Sequence, residues 1–202
     1  MRKQPFRFRQ HCGHRSSSRF SLEAVIMNTD YQFRSARASD AAQLGVIGPA
    51  IYAESYNHMW SDPEAYARRL KSFGHQAVAE FLERPDTETW VADCGAQIVG
   101  FLSIVKGAPD PVEGRTDGIE VPRIYFLAPA RGKGLAIKLM ELAEKYARDE
   151  GADHLWLDAM KEAPWAWRTY QKWGFSEIGE TTFAEEMKPE FKPMVVMRRR
   201  CA

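Results

Sequence analysis

The chain is poor in cysteine: Cys12, Cys94 and Cys201 are its only thiols, scattered without disulfide or metal-ligand spacing. That usage suits a reducing compartment, so the expectation is a cytoplasmic protein with no structural metal. No apolar run is long enough to span a bilayer. Net charge is only +1, so no field of one sign points to nucleic acid or to a membrane surface. The charge is unevenly spread: Arg2, Lys3, Arg7, Arg9, Arg15 and Arg19 face only Glu23 before Met27, leaving the remainder acidic. Met1 to Ile26 also lacks hydrophobic periodicity and the apolar core of a secretory signal. It reads as a disordered basic extension or a mis-called start ahead of Met27, with an organelle transit peptide as the lesser alternative. Residues 27–202 are then long enough to form one domain with a real core.

What the chain has is one well-marked turn. Ile124-Tyr125-Phe126-Leu127 is a short apolar run of strand character. It enters Ala128-Pro129-Ala130-Arg131-Gly132-Lys133-Gly134, and a helical pattern follows at once. Leu135, Leu139, Leu142 and Tyr146 share a face with Ala136, Met140, Ala143 and Ala147, and Lys138, Glu141, Glu144, Lys145 and Arg148 lie opposite. Gly151 suits the left-handed residue that ends a helix. A helix start carries unpaired N–H groups and partial positive charge, and Gly132 and Gly134 let the backbone come close to an anion. Arg131 and Lys133 add full charges. Two readings stay open on the turn alone: an anion site, or a connection whose glycines serve only its dihedral angles. It is neither a P-loop, since no Gly-Lys-Ser/Thr ends it, nor a complete dinucleotide fingerprint.

Around the turn, Tyr31 to Arg34 alternates as a half-buried strand. Ser39 or Asp40 is a plausible N-cap for a helix lined by Ala41, Leu44, Ile47 and Ile51, which Gly48-Pro49 is expected to kink or divide. Asp62 can cap a helix starting at Pro63, and Ala77, Phe81 and Leu82 suggest another helical piece. Thr89 to Ala92 and Gln97 to Val105 read as a hairpin around Cys94-Gly95-Ala96, with Gly100 as a bulge or close-approach point. Pro122 is awkward in the strand Ile119 to Leu127 and predicts a bulge. His154 to Asp158, Ser176 to Phe183 and Pro193 to Arg199 are further strands, and Pro164 to Lys172 a short helix ended by Gly174. Helix–strand alternation after the turn predicts a parallel pairing across a right-handed crossover. The fold class is a mixed α/β sheet with helices on both faces.

Arg131-Gly132-Lys133-Gly134-Leu135-Ala136 fits the pattern Q/R-x-x-G-x-G/A of the GNAT (GCN5-related) N-acetyltransferases, and Tyr170-Gln171-Lys172-Trp173-Gly174-Phe175 resembles their Y-x-K-x-G-F element. The resemblance runs from about Tyr31 to Arg199. It implies the GNAT fold, a mostly antiparallel sheet splayed at its fourth and fifth strands, and acetyl-coenzyme A as cosubstrate. It places the cosubstrate at Phe126, Leu127, Ala128, Arg131, Gly132, Lys133, Gly134, Leu135 and Ala136, with a backbone N–H near Phe126 to Ala128 on the thioester oxygen. It implies Tyr170 as general acid and Glu120 as base, with Asp158 the weaker alternative for the base. The acceptor would be a primary amine, small, polyamine-like or on a protein, near Tyr52, Tyr56, His58, Trp60, Asp158 and Glu185. Glu120 to Tyr125 and Arg68 to Leu82 resemble the bacterial polyamine branch. Ala163 departs from the asparagine that many members place there, which leaves a coenzyme A-sensing module as the alternative to an enzyme. A homodimer is a family-level expectation.

Overall fold

The computed structural model describes residues 31–201; the expectations for Met1 to Ile26 and the start of the domain at residue 27 lie outside the described residues. The elements in order are β1 (Tyr31–Ser35), α1 (Ala41–Tyr56), α2 (Pro63–Lys71), α3 (His75–Glu83), β2 (Thr87–Cys94), β3 (Gln97–Lys106), β4 (Ile119–Phe126), α4 (Leu135–Asp149), β5 (His154–Met160), α5 (Pro164–Lys172), β6 (Ser176–Thr182) and β7 (Pro193–Arg200). Short 3-10 turns stand at Ala38–Asp40, Asn57–Met59, Ala128–Ala130 and Pro189–Phe191.

The strands form one sheet in the order β1-β2-β3-β4-β5-β7-β6, antiparallel except between β4 and β5. Side-chain alternation divides its two faces. Trp90, Ala92, Leu102 and Ile104 pack with Leu135, Leu139, Met140, Ala143 and Ala147 of α4. Val91, Ile98 and Phe101 pack with Ala41, Leu44, Ile47 and Ile51 of α1 and Val78 of α3. Ile98 and Phe101 share a face despite their opposite parity because Val99 is an extra residue: Ala92 pairs with Gly100 and Asp93 with Ile98.

Helix starts follow local chemistry in one case and depart from it in another. Asp62 caps α2, accepting from the Glu64 N–H at 2.9 Å, with Pro63 in the first turn. Asp40 precedes α1 but does not cap it with its side chain. Its carboxylate instead accepts from the Arg37 N–H at 2.7 Å and pairs with Arg34 at 2.6 Å. The expected division of α1 at Pro49 does not occur; the helix is continuous through it. Pro49 removes the bond to the carbonyl of Gly45, and Gly45 sits where α1 meets the start of α3: a Cβ there would fall 2.4 Å from His75 N.

Two irregularities position the site. Ser103 pairs with Arg123 but Val105 with Glu120, so β4 carries one extra residue around Val121-Pro122, where the missing proline N–H costs no ladder bond. Beyond that, β4 and β5 pair only at Ile119–Leu155 and Glu120–Trp156 and then part. The gap between them is the splay that the resemblance implies.

Candidate active site

The gap exposes backbone. Leu127 N–H donates to Val99 O at 2.9 Å, so Leu127 faces β3. By strand alternation Tyr125 does too, while the N–H and C=O groups of Phe126 and Ile124 face the gap. Of the donors expected near Phe126 to Ala128, Leu127 is therefore already used, and Phe126 and Ile124 are the ones presented. Arg131 Nε donates to Phe126 O at 2.9 Å, which agrees with that direction.

At the head of α4, Gly132 and Gly134 have φ of +72° and +75°, a region costly for side-chain-bearing residues, with nothing within 4 Å of where a Cβ would stand. Gly134 is the N-cap; no side chain caps the helix and no acid lies in its first turn. The first N–H groups of α4 are thus open to an anion, and the glycines keep the approach clear. The two cations of the turn have protein partners as well: Arg131 pairs with Glu54 at 2.7 Å, and Lys133 Nζ donates to Tyr31 Oη at 2.9 Å. Ala128 lies in the 3-10 turn between β4 and this loop.

Three cavity segments run end to end from this turn. The first is lined by Phe126, Arg131, Gly132, Gly134, Leu135, Ala136, Thr169 and Trp173. The second shares Phe126, Arg131, Ala136, Thr169 and Trp173 with it and continues to Tyr56, Ile124, Tyr125, Trp165, Ala166 and Tyr170. The third shares Tyr56, Ile124, Tyr125, Ala166 and Tyr170 with the second and extends to Tyr52, Arg69, Asp158, Met160, Ala163, Phe183 and Met194. Their cavity volumes are about 390, 270 and 100 Å³ in that order, so of the three the segment at the turn is the roomiest and the far segment the tightest.

Tyr170 stands where the second and third segments meet. Burial raises its hydroxyl well above the usual tyrosine range, with Tyr56 and then Asp158 adding to the effect, so it holds its proton at neutral pH. Burial likewise raises Asp158, which opens onto the cleft yet is walled by it, and the charge of Arg69 opposes the rise. Glu120 is pushed up to about 7, by burial first and by the Asp158 carboxylate second, against the pull of Arg123 and Arg84. Glu120 does not line the third segment. It shares a face with Asp158, since Glu120 pairs with Trp156 and Asp158 is two residues further along β5.

The remaining expected residues separate. Tyr52, Tyr56 and Asp158 line the third segment. Trp60 is buried in the cluster with Tyr52, Met59 and Phe73, and His58 is at the surface, edge-on to Phe191 at 5.5 Å. Neither lines a segment. Glu185 reaches the site through Arg69, at 3.0 Å. Arg69, Tyr125, Phe183, Met160 and Met194 went unread in the sequence. They come from α2, β4, the β6–β7 connection, β5 and β7, and share no local spacing. Among the described residues no group of three or more His, Cys, Asp or Glu could hold a metal ion, and no helix is long and apolar enough to cross a membrane.

Residues 50–175 match the model of the Acetyltransferase (GNAT) family, and the chain belongs to that family. It is 32% identical over 96 residues to the uncharacterized N-acetyltransferase YjgM of Escherichia coli, a match covering 47% of this chain and 54% of that relative. The chain thus spans about half the length of that curated relative. It is 27% identical over 163 residues to the streptothricin acetyltransferase of Streptomyces lavendulae, covering 74% of this chain and 83% of the relative. In fold it is similar to the PaiA N-acetyltransferase of Thermoplasma acidophilum, solved in complex with coenzyme A: TM-score 0.68, 15% identity, 85% of this chain and 99% of that one.

Proposed function

From that family membership, we propose that the protein is an enzyme that moves the acetyl group of acetyl-coenzyme A to a primary amine by direct attack, with both substrates bound together. The observation that carries this reading is the continuous cleft with Tyr170 at the junction of its second and third segments. The glycine turn and uncapped start of α4 suit a pyrophosphate, and the apolar second segment suits the arm that follows it. That the structural relative from Thermoplasma acidophilum holds coenzyme A supports the same assignment.

Acetyl-coenzyme A would supply the activated acetyl group as a thioester. The gap-facing N–H groups of Ile124 and Phe126 are the donors available to its carbonyl oxygen, where negative charge grows as the amine attacks. Tyr170, held protonated, gives its proton to the departing sulfur. An amine reaches the site mostly as its cation and must lose a proton before it attacks. Glu120, with its carboxyl near neutrality, is suited to take that proton through water, and Asp158 on the cleft wall is suited to hold the cation. These carboxylates fit a cationic amine.

Ala163, buried at the start of α5 without a side chain to donate, is the observation that favours the second reading, a coenzyme A-binding module with weak turnover. Tyr170→Phe separates the two. An enzyme loses about 10²-fold or more in kcat while its coenzyme A affinity stays nearly constant. Equal turnover of the two proteins would remove Tyr170 from the chemistry.

A further inference from the structure

The acceptor end of the cleft carries a cation as well as a carboxylate, and the cation is not where the glycine turn needs it. Arg69 lines the third segment with Asp158 and Tyr170, at the opposite end of the cleft from Gly132 and Gly134. Its guanidinium is caged by three aromatic rings, with centroids at 5.4 Å (Tyr52), 5.1 Å (Phe73) and 5.3 Å (Phe183). Only Nη1 has a hydrogen-bond partner, Glu185 at 3.0 Å; Nη2 has none among the described residues. Behind it Arg69 Nε and Trp60 Nε1 are buried beside the Tyr52 hydroxyl, with no well-formed hydrogen bond among the three, so Nη1 is the one nitrogen of the fork with a carboxylate on it. Buried donors are normally satisfied, and an ionised carboxylate is the side-chain-sized group that only accepts. A guanidinium shielded by aromatic rings also pairs more strongly with an anion than one in open water.

Resting on the acetyl-transfer reading, we infer that the acceptor carries a carboxylate as well as its amine, and that Arg69 is the residue that selects it. The amine lies toward Asp158 and Tyr170, the carboxylate at Arg69, and the apolar walls of Met160, Met194 and Phe183 enclose what joins them. With Glu185 held on Nη1, the remaining Nη2 of Arg69 still offers a polyamine's second ammonium only a donor and no acceptor, whereas a carboxylate can accept from it.

The test uses the whole protein with acetyl-coenzyme A and a panel of straight-chain ω-amino acids and L-leucine, each beside its methyl ester, together with spermidine. Thiol release gives kcat/KM, and calorimetry with coenzyme A present gives amine binding independently of turnover. At least one free acid exceeds its ester and spermidine by roughly tenfold or more in kcat/KM, about the effect of one charge-assisted contact. In Arg69→Met that ratio falls toward one, while Arg69→Lys retains part of it. Spermidine or the esters turned over as well as every free acid would overturn the inference and leave acetyl transfer standing. So would an acid-to-ester ratio that survives in Arg69→Met. Acid-selective binding without thiol release from any amine would uphold the carboxylate site and overturn the acetyl-transfer reading. Neither release nor selective binding would overturn both.

Discussion

Gly100 of β3 lies directly against the ring of Phe126 of β4: a Cβ on Gly100 would stand 2.1 Å from Phe126 Cδ1. Phe126 also lines the first and second segments of the cleft and directs its backbone toward the gap. Gly100→Ala must therefore push a buried ring toward the cleft. We expect a loss of about 1–3 kcal/mol in unfolding free energy, with a weaker apparent affinity for acetyl-coenzyme A. Chemical denaturation and calorimetric titration measure the two effects. An alanine variant with wild-type stability would show that Phe126 has room to move that the packing does not reveal.

Gly134 and Gly95 form a matched pair. Both have positive φ, +75° and +65°, and both have open space where a Cβ would stand. Alanine at either position costs about 1–2 kcal/mol for the backbone alone. Only Gly134 heads α4. Gly134→Ala should weaken acetyl-coenzyme A binding at least several-fold beyond its stability cost, while Gly95→Ala in the β2–β3 turn should leave binding unchanged. Equal affinities in the two variants would mean that the turn amides do not hold the cosubstrate.

Glu120 couples pH to both stability and rate. Its carboxyl is raised from 4.5 to about 7 in the folded protein. Between those values the folded state keeps a proton that the unfolded chain has lost. Its stabilising contribution is thus complete below about 4.5 and declines as pH rises to about 7. Glu120→Gln removes that slope, so the variant gains Tm relative to the wild type at pH 8 compared with pH 4. For activity, the wild-type rate should climb through a limb near 7, and that limb should be absent in the glutamine variant. A limb that persists would assign the base to Asp158 or to the amine itself.

What the sequence made legible was local. The Arg131 to Ala136 turn could be read because left-handed backbone requires glycine and a helix start requires an answer for its N–H groups. Pro122 marked the bulge because it cannot donate. Tyr170 was reached through its motif, and it stands at the junction of two cleft segments. The acceptor end was far less legible. Arg69, Tyr125, Phe183 and Met194 converge only through the sheet order and the packing of α2. The cluster Tyr52 to Trp60 shows the limit in the other direction. Tyr52 and Tyr56, four residues apart on α1, reach the cleft, but the 3-10 turn Asn57–Met59 breaks that spacing and sends Trp60 inward and His58 outward. At Pro49 the sequence offered a kink or a division, and the division does not occur: α1 runs through the proline, with Gly45, whose carbonyl loses its partner, packed closely on His75.

The most direct test of the account is calorimetric titration with acetyl-coenzyme A, followed by thiol release across a panel of amines. The account predicts saturable binding and thiol release that depends on the amine. Absence of binding, or binding without release for small and protein amines alike, would contradict it.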